Sequence, residues 1–303
     1  MAEKKYELTG MVTEQANPKT MEMDTFEISE ILRVINEEDK TCAFAVEKVL
    51  PEIEKIVTAL VDRFARGGRI LYLGAGTSGR IAIMDSAEFP PTFGIDPDRV
   101  QVGMAGGSGS MIRAQEAKED DKTEGSEIVR DWNPSEIDCV IGLATSGKTP
   151  YVISGLHEAR AAGAFTAFIC ANPVSDDIAD VVVPCITGPE VLTGSTRLKA
   201  GTAQKMILNM ISTSTFVKLG KTYKNRMSHI ATKNIKLYKR AIETISVCCD
   251  MPEDEAEALL IKAGKELPVA LVCGVAKCDI ETAKEKLQLT GGKVRAAIEF
   301  IGR

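Results

Sequence analysis

The sequence predicts an α/β fold in which a five-stranded parallel sheet is covered by helices on both faces. Five short, continuous apolar runs alternate with segments of helical periodicity, and glycine-rich turns follow several of these runs. Strands that are apolar along their whole length are buried on both sides, which is typical of parallel sheets whose strands are joined through helices. We expect a three-layer αβα domain, preceded by a helical segment and followed by a small C-terminal three-helix unit.

The elements follow in chain order. Residues 27–66 are predicted to form two helices, because apolar residues recur at helical spacing on either side of the polar run 36–39. The predicted strands cover residues 69–73, 100–104, 139–144, 165–170 and 181–186. Further helices are predicted over residues 111–122, 151–162, 206–219 and 233–247.

Beyond Asp250 the pattern changes to short helices, predicted over residues 252–260, 267–276, 280–289 and a last stretch ending near Phe300. The chain therefore divides into a helical N-terminal segment (1–56), a sheet domain with its long helices (57–247) and a small helical unit (248–303). A unit of about 50 residues is small to be stable alone, so we expect it to lean on the sheet domain.

Composition narrows the class of protein. The 303 residues include 37 Lys and Arg against 43 Asp and Glu, a net charge of −6 and a pI near 5.3. This balance argues against nonspecific binding to nucleic acid or to anionic membranes. The longest apolar stretches fall well short of the roughly 20 residues that span a bilayer, and residues 1–5 lack the apolar core of a signal peptide. We expect a cytoplasmic protein.

Cysteine and histidine usage restricts the chemistry. Most of the eight cysteines lie in apolar surroundings and none forms a C-x-x-C pair, which predicts buried thiols rather than a disulfide framework. His157 and His229, the only histidines, are far apart, and no cysteine pair lies near either at zinc-site spacing. No metal site is predicted. Acid–base chemistry would fall to carboxylates, lysines or tyrosines.

A glycine-rich turn follows the first predicted strand. Residues 74–79 satisfy the G-x-G-x-x-G pattern of dinucleotide sites. However, the second strand is followed by Ala-Gly-Gly, without the acidic residue that would hold the ribose hydroxyls of a nicotinamide cofactor. The alternative is a phosphate held by backbone N–H groups with Thr77 and Ser78 at the N-terminus of the next helix. A simple tight turn also remains open.

The arrangement occurs three times, which favours a ligand. Residues 145–149, Thr-Ser-Gly-Lys-Thr, follow the third strand, and residues 193–196, Thr-Gly-Ser-Thr, precede a long helix. Hydroxyl groups can bind both sugar and phosphate oxygens, so the three turns indicate one sugar phosphate rather than a nucleotide. Four basic residues close to these turns predict local positive charge in an acidic chain: Arg80, Lys148, Arg197 and Lys199.

These motifs resemble the N-acetylmuramic acid 6-phosphate etherase family of the sugar isomerase (SIS) superfamily. The resemblance rests on residues 71–80, 88–94, 146–152 and 194–205, of which the last run is the most specific. It extends from Thr13-Glu14 and Asn17-Pro18 through residues 35–39 to the helical tail, which resembles a ubiquitin-associated (UBA-like) unit and is expected to be structural.

The resemblance implies removal of the D-lactyl ether from N-acetylmuramic acid 6-phosphate, by elimination and water addition, without a metal or redox cofactor. Glu88 matches the family's proton donor to the departing lactate, and Glu119 matches its second glutamate, which we assign as the base at C2. Pro90 and Pro91 are expected to end a helix near Glu88. A C2 homodimer is also expected. The residues predicted to bind substrate are Gly76, Thr77, Ser78, Arg80, Thr145, Ser146, Lys148, Thr149, Ser195, Thr196 and Lys199.

Several positions depart from the family pattern: Phe89, Gln115, Lys118, Lys148 and Ser228-His229. Phe89 and Lys148 are expected near the site, so they concern substrate fit rather than reaction type. Two other functions stay open. A noncatalytic sugar-phosphate sensor would regulate a partner and would need only the phosphate turns. An aldose–ketose isomerase would share the removal of the C2 proton but would release no lactate.

Overall fold

The computed structural model describes residues 10–232 and 234–302, so residues 1–5, considered above for a signal peptide, lie outside it. Contacts divide the chain into two compact units. The first contains the residues up to Ser86 together with Asp98–Ser212, and the second contains Ala87–Pro97 and the residues from Thr213 onward.

All five predicted strands are confirmed in the first unit. They are β1 (Ile70–Gly74), β2 (Val100–Met104), β3 (Cys139–Leu143), β4 (Phe165–Cys170) and β5 (Val181–Pro184). Every pair is parallel, and the strand order is β2-β1-β3-β4-β5. Each residue of β1 and β3 is buried, as continuous apolar runs predict for strands covered on both faces.

Helices cover both faces of this sheet, which confirms the three-layer prediction. Leu71 and Leu73 of β1 share one core with the apolar side chains of α6 (Lys122–Trp132) and α7 (Pro150–Ala161). Tyr72 points to the opposite face. Its hydroxyl donates to Asp85 of α4 (Gly76–Ala87) over 3.3 Å, and α8 (Lys199–Lys218) packs on the same side through Ser212.

The N-terminal segment forms three helices rather than the predicted two: α1 (Ile28–Asp39), α2 (Thr41–Glu47) and α3 (Leu50–Ala65). The break at residues 36–39 was expected, although α1 continues to its end. The second break lies before Pro51, which occupies the first turn of α3. Proline has no N–H to donate and clashes with a preceding helical turn, so α2 cannot continue through it. Short 3₁₀ turns precede α1 at Val12–Glu14 and Met23–Thr25.

The helix predicted over residues 111–122 is wrong. The chain instead forms 3₁₀ turns at Ser108–Met111 and Glu116–Asp120, and α6 begins only at Lys122. The guanidinium of Arg80 donates to the carbonyls of Ser110 (2.8 Å) and Met111 (2.9 Å), which a helix would use for its own N–H groups. Asp121 then caps α6 by accepting the Glu124 N–H over 3.0 Å.

The second unit consists mainly of helices. They are α5 (Phe89–Phe93), α9 (Ile235–Cys249), α10 (Glu253–Lys262), α11 (Leu267–Ala276), α12 (Ile280–Leu289) and α13 (Val294–Ile301). Helices α11, α12 and α13 pack on one another as a three-helix group, while α9 packs on α10 and α11. A two-stranded hairpin, β6 (Thr222–Tyr223) with β7 (Arg226–Met227), was too short to predict from periodicity.

The eight cysteines are free thiols, and five of them are buried. Burial raises the pKa of Cys139 and of Cys170 to about 12, as expected for thiols packed as small apolar groups. Within residues 10–232 and 234–302, no helix combines the length and apolarity that a membrane crossing requires.

Candidate active site

The strand order marks one crevice of the sheet. The chain runs outward from β1 to β2 in one direction and from β3 to β4 and β5 in the other. Ligands of open α/β sheets bind at such a switch point, outside the carboxyl ends of the strands. Gly74 at the end of β1 pairs in register with Leu143 at the end of β3. Two of the three predicted turns, residues 74–79 and 145–149, therefore begin side by side at this crevice.

The turn after β1 leads directly into α4. A Cβ on Gly74 would lie 2.7 Å from the Gly79 nitrogen, so the strand end and the first turn of α4 approach more closely than side chains would allow. Gly76 begins the helix with a φ of +52°. The first N–H groups of a helix have no acceptor within it, and together with the helix dipole they favour an anion. The turn after β1 thus has the backbone geometry that the phosphate prediction requires, with the N–H groups of a helix N-terminus at its end.

Glu119 lies over the start of this helix. Its Oε1 is 3.1 Å from the position that a Cβ on Gly76 would occupy. The side chain is half-buried, and burial, with smaller contributions from Asp120 and Glu116, raises the pKa of its carboxyl. A carboxylate with a raised pKa is a stronger base. The structure therefore brings a predicted catalytic glutamate to the turn predicted to hold the phosphate.

The segment that carries Glu119 is tied down on both sides. Arg80 holds the carbonyls of residues 110 and 111, as described above, and the Gly106 N–H donates to Glu124 Oε1 over 2.8 Å. Lys118 forms ion pairs with Asp121 (3.2 Å) and Glu124 (3.0 Å). Arg80, which is predicted to bind the ligand, thus holds the backbone of the segment before Glu119.

The two hydroxyl residues of the turn after β1, Ser78 and Thr77, both contact α8. Ser78 is buried, and its Oγ donates to Gln204 Oε1 of α8 over 2.9 Å. Gln204 is 2% exposed, and its Nε2 has no acceptor among the described residues. Thr77 is half-buried and lies against α8, its Cγ2 3.5 Å from the Cβ position of Gly201.

The turn after β3 is held by its own hydroxyls. Ser146 Oγ accepts the Lys148 N–H over 3.1 Å and lies 3.5 Å from Thr149 Oγ1. The carbonyl of Thr145 accepts from Asn172 Nδ2 over 2.9 Å. Thr149 is buried at the start of α7, whereas the side chain of Lys148 is exposed.

The third turn reaches the first one through α8. A Cβ on Gly201 of α8 would lie 3.4 Å from the Thr196 carbonyl oxygen and 3.5 Å from Thr77 Cγ2, so Gly201 adjoins both turns. Ser195 and Thr196 are half-buried. A Cβ on Gly194 would lie 2.9 Å from Glu14 Oε2, and the Gly194 N–H donates to the Thr13 carbonyl, so an N-terminal segment covers this turn.

Lys199, which is predicted to bind substrate, is buried and paired within the protein. Its side chain is 3% exposed, and Nζ donates to Glu38 Oε2 over 2.7 Å. Glu38 also accepts from Asn17 Nδ2 (3.0 Å) and Lys19 Nζ (2.8 Å). Burial alone would raise the pKa of Glu38, but the hydrogen bonds from Lys19 and Lys199 lower it to about 2. Two of the four basic residues predicted to lie near the turns, Arg80 and Lys199, therefore make hydrogen bonds within the protein.

The N-terminus of α8 is filled by a carboxylate of the protein. Glu190, which is fully buried, accepts the N–H groups of Lys199 (2.9 Å) and Ala200 (3.0 Å). Burial raises the pKa of its carboxyl. These N–H groups are among those that a phosphate would have used at this helix. The third turn can therefore offer the hydroxyls of Ser195 and Thr196, but not these two backbone donors.

Glu88 lies between two consecutive helices. Helix α4 ends at Ala87, and α5 begins at Phe89 with Pro90 and Pro91 in its first turn. The predicted end of the first helix is confirmed, but the prolines also start a second one, and the Glu88 carbonyl accepts the Thr92 N–H over 3.1 Å. Glu88 is exposed and belongs to the second unit, whereas Glu119 belongs to the first.

Two open cavities contain none of the predicted site residues. One of about 1100 Å³ lies in the second unit along α9, and one of about 500 Å³ adjoins the Glu119 turn at Gly106, Lys118 and Asp121. Among residues 10–232 and 234–302, no group of three or more His, Cys, Asp or Glu side chains is arranged to hold a metal ion.

Comparison with known proteins gives a consistent result. Residues 52–160 match the glucokinase regulatory protein N-terminal SIS domain family. Over 295 residues the chain is 44% identical to the N-acetylmuramic acid 6-phosphate etherase of Cronobacter sakazakii (strain ATCC BAA-894), spanning 96% of this chain and 99% of that protein. It is 45% identical over 294 residues to the N-acetylmuramic acid 6-phosphate etherase of Geobacillus sp. (strain WCH70), spanning 96% and 100%. The chain belongs to the N-acetylmuramic acid 6-phosphate etherase family.

A solved phosphoheptose isomerase from Neisseria gonorrhoeae is 19% identical, with a TM-score of 0.46, and the match covers 63% of this chain and 98% of that one. The SIS-type α/β fold predicted from the sequence is confirmed by the five-stranded parallel sheet together with the SIS family match.

The run that most resembles the etherase family, residues 194–205, is largely internal. It holds Lys199, Gln204 and the first turn of α8, all of which bond to other parts of the protein. The earlier motifs at Asn17 and residues 35–39 meet it through Glu38. Much of the run that is most specific to the etherase family therefore holds the elements around the crevice together through hydrogen bonds within the protein.

Sequence reasoning missed several residues of this support. Glu190 and Gln204 lie beside or within the run 194–205, which was a usable signal. Asn172 follows β4 at the carboxyl edge of the sheet, and its side chain joins Thr13 Oγ1 (3.0 Å) to the Thr145 carbonyl. Asp85 is a buried carboxylate of α4 that no local pattern distinguishes from a solvated one.

Proposed function

We propose that the chain is a carbon–oxygen lyase that cleaves the D-lactyl ether of N-acetylmuramic acid 6-phosphate, giving N-acetylglucosamine 6-phosphate and D-lactate. The observation that carries this proposal is the approach of Glu119 to Gly76, which sets a basic carboxylate beside a helix N-terminus suited to a phosphorylated ligand. The names of the 41–45% identical relatives support the same substrate.

The phosphate and sugar would be bound at the switch point of the sheet. Backbone N–H groups from Gly76 onward, with Thr77 and Ser78, would hold the phosphate, helped by the turn at Thr145, Ser146 and Thr149. Ser195 and Thr196 would offer further hydroxyls to the sugar, and Lys148 supplies an exposed positive charge. Arg80 and Lys199 support these turns from behind through the bonds described above.

The reaction would use two carboxylates. In the open-chain sugar, the aldehyde acidifies the C2 proton, which Glu119 removes as general base. The electron pair left on C2 is shared with the carbonyl and then expels lactate from C3, while Glu88 gives a proton to the departing oxygen. Water then adds to C3 of the unsaturated aldehyde, and C2 regains a proton. Because the substrate's own carbonyl accepts the developing charge, the proposed steps need no metal or redox cofactor.

Assembly and location complete the proposal. The side chains of Ile28, Leu32 and Phe44 on the N-terminal helices are 76%, 62% and 64% exposed, which supports a homodimer that covers them. Eight free thiols support a reducing compartment, the cytoplasm. The domain division at residues 56 and 247 stays a proposal, and so does a UBA-like C-terminal unit.

The deciding experiment measures D-lactate released from N-acetylmuramic acid 6-phosphate by the purified protein. Glu119→Gln and Glu88→Gln are each expected to lower the rate about 10²–10⁴-fold, the usual contribution of a general acid or base. Glu127→Gln is the control, because Glu127 is an exposed glutamate of the following helix, α6, and is not among the residues that raise the pKa of Glu119.

Each outcome has a separate meaning. No lactate from folded wild-type protein would refute the lyase, and exchange of the C2 proton of an aldose phosphate without lactate would favour an isomerase. Binding of the sugar phosphate with neither reaction would favour a sensor. Lactate release that is unchanged in both glutamate variants would refute only the assignment of Glu88 and Glu119.

A further inference from the structure

The segment that carries Glu88 is anchored by residues more than a hundred positions away. Phe89 and Phe93 of α5 pack on Phe216, with ring centroids 5.0 Å and 4.8 Å apart, and all three rings are buried. The Glu88 carbonyl accepts the Thr92 N–H, so the backbone of Glu88 is part of the first turn of α5. Whatever fixes α5 therefore fixes the backbone from which the Glu88 side chain extends.

The other end of α5 is closed by His229. Gly94 ends the helix with a φ of +64°, and its N–H donates to the Pro90 carbonyl over 3.0 Å. A Cβ on Gly94 would lie 2.6 Å from the His229 carbonyl oxygen, so only glycine fits between them. The backbone of His229 thus abuts the C-terminal end of α5, the helix that begins directly after Glu88.

The imidazole of His229 faces the C-terminal helices. Its Nε2 lies 3.6 Å from the Cβ position of Gly292, in the turn between α12 and α13, and the ring hydrogen-bonds with the backbone of Gly292 and Lys221. Its Nδ1 lies 2.9 Å from Oγ of the buried Ser228. Burial, together with the charge of Lys221, lowers the pKa of His229 to about 4. The ring is therefore neutral near pH 7 and acts through hydrogen bonds and packing.

We propose that His229 is a positioning residue for Glu88, and that the C-terminal helices contribute to the reaction through it. The path of contacts runs from the turn at Gly292 to the His229 ring, from the His229 backbone to Gly94, and through α5 to Glu88. This inference rests on the proposed role of Glu88 as the acid that protonates lactate. Glu88 precedes a helix of only five residues, which is too short to hold a fixed direction by itself, so the position of Glu88 depends on the contacts that anchor α5.

The test compares two reactions that need different glutamates. Lactate release requires Glu88, whereas exchange of the C2 proton of N-acetylglucosamine 6-phosphate in deuterated water requires only the base at C2. His229→Ala is expected to lower kcat for lactate release about 10–100-fold, as a misplacement near 1 Å does, while KM and C2 exchange change less than about twofold. His229→Gln, whose amide can replace Nε2 as a hydrogen-bonding group, should retain most of the activity. His157→Ala changes the other histidine, which is exposed on α7, and should leave both rates unchanged.

Melting curves establish that each variant is folded. If His229→Ala does not fold, Gly292→Ala tests the same contact from its other end, because its Cβ would lie 3.6 Å from His229 Nε2, and it is expected to show the same selective loss of lactate release. A loss of lactate release and C2 exchange by the same factor would overturn the proposal, and so would full activity of folded His229→Ala or folded Gly292→Ala. Absence of both reactions in wild-type protein would instead refute the lyase itself.

Discussion

The N-termini of α4 and α8 begin from similar sequences and differ in what they bind. Both helices follow turns rich in glycine and hydroxyl groups, and both carry a basic residue early, Arg80 in α4 and Lys199 in α8. At α8 the buried carboxylate of Glu190 accepts two of the first N–H groups. At α4 the half-buried Glu119 approaches over Gly76. One helix end is thus closed by the protein, and the other faces a candidate base.

The difference shows that a helix N-terminus and a glycine turn do not define an anion site by themselves. The dipole and the free N–H groups of a helix favour any negative group, whether it comes from a ligand or from the protein. Residues outside the turn decide which of the two binds. At α8 they are Glu190 and Glu38, and Glu38 lies 161 positions before Lys199.

The largest effect on stability is expected from removing the buried ion pair of Lys199 and Glu38 at the start of α8. Lys199→Met keeps the length of the side chain but removes the buried cation that pairs with the Glu38 carboxylate, which then keeps only Asn17 and the exposed Lys19 as partners. We expect the free energy of unfolding to fall by about 3–5 kcal/mol, measured by urea denaturation. Arg33→Met, which removes an exposed pair with Glu37, is the control and should cost less than about 0.5 kcal/mol. A similarly small loss in both variants would show that the buried pair of Lys199 and Glu38 contributes no more to stability than an exposed pair does.

How far the sequence could predict this molecule depends on the range of the contacts. The five strands were predictable because continuous apolar runs between helical segments have few other solutions in a domain of this length. The false helix over residues 111–122 had suitable periodicity, but Arg80, about thirty positions earlier, takes its carbonyls.

The candidate site shows the same division. The turns, and Glu119 as a candidate, could be identified from local sequence and family resemblance. The approach of Glu119 to Gly76 could not, because it depends on how residues 105–121 fold back. Nor could the sequence show that Lys199 points inward, since its partner Glu38 lies in a distant helix and lysines are seldom buried.

A second large effect should appear as opposite pH dependences in the two regions. Burial raises the pKa of Asp85 in α4 from 3.8 to about 6, against the opposing effects of Lys205, Ser212 and Tyr72. The folded protein therefore binds this proton more tightly than the unfolded chain does. The resulting stabilisation is complete below about pH 4 and is lost as the pH rises through about 6. At α8, the lowered pKa of Glu38 gives stability that is present above pH 4.5 and is lost as the pH falls toward 2.

Asp85→Asn and Glu38→Gln separate these contributions in urea denaturation curves between pH 3 and pH 8. Relative to wild type, Asp85→Asn should gain up to about 3 kcal/mol between pH 4 and pH 7, because it lacks the carboxyl whose deprotonation weakens the fold. Glu38→Gln should lose stability relative to wild type over the pH range in which the native Glu38 is ionised. If the free energy of unfolding depended on pH in the same way for wild type and Asp85→Asn, the raised pKa of Asp85 would be contradicted.

A smaller effect concerns the turn after β3, the neighbour of the α4 turn. Gly147 has a φ of +75°, and a Cβ there would overlap Cγ1 of Val174. Gly147→Ala should therefore destabilise the protein by about 2–3 kcal/mol, part from the left-handed backbone and part from the clash. Gly163→Ala isolates the first part, about 1 kcal/mol, because Gly163 has a φ of +86° with nothing within 4 Å of its Cβ position. Adding Val174→Ala to the Gly147→Ala variant should restore most of the stability lost to the clash. Equal losses of stability in Gly147→Ala and Gly163→Ala would show that the turn after β3 can accommodate a Cβ.

The smallest effect is expected at Lys148, the exposed counterpart of the buried Lys199. Because its side chain is exposed beside the turn after β3, Lys148→Ala should leave the free energy of unfolding unchanged within about 0.5 kcal/mol. A charge at the rim of a site mainly attracts an ionic ligand, so KM for the sugar phosphate should rise about threefold at low salt and less at high salt. Lys48→Ala, at an exposed lysine after α2, provides the control and should change neither quantity. An unchanged KM with loss of stability would place Lys148 with Lys199 among the structural lysines, and the contrast between the two helix ends would then rest on Glu119 and Glu190 alone.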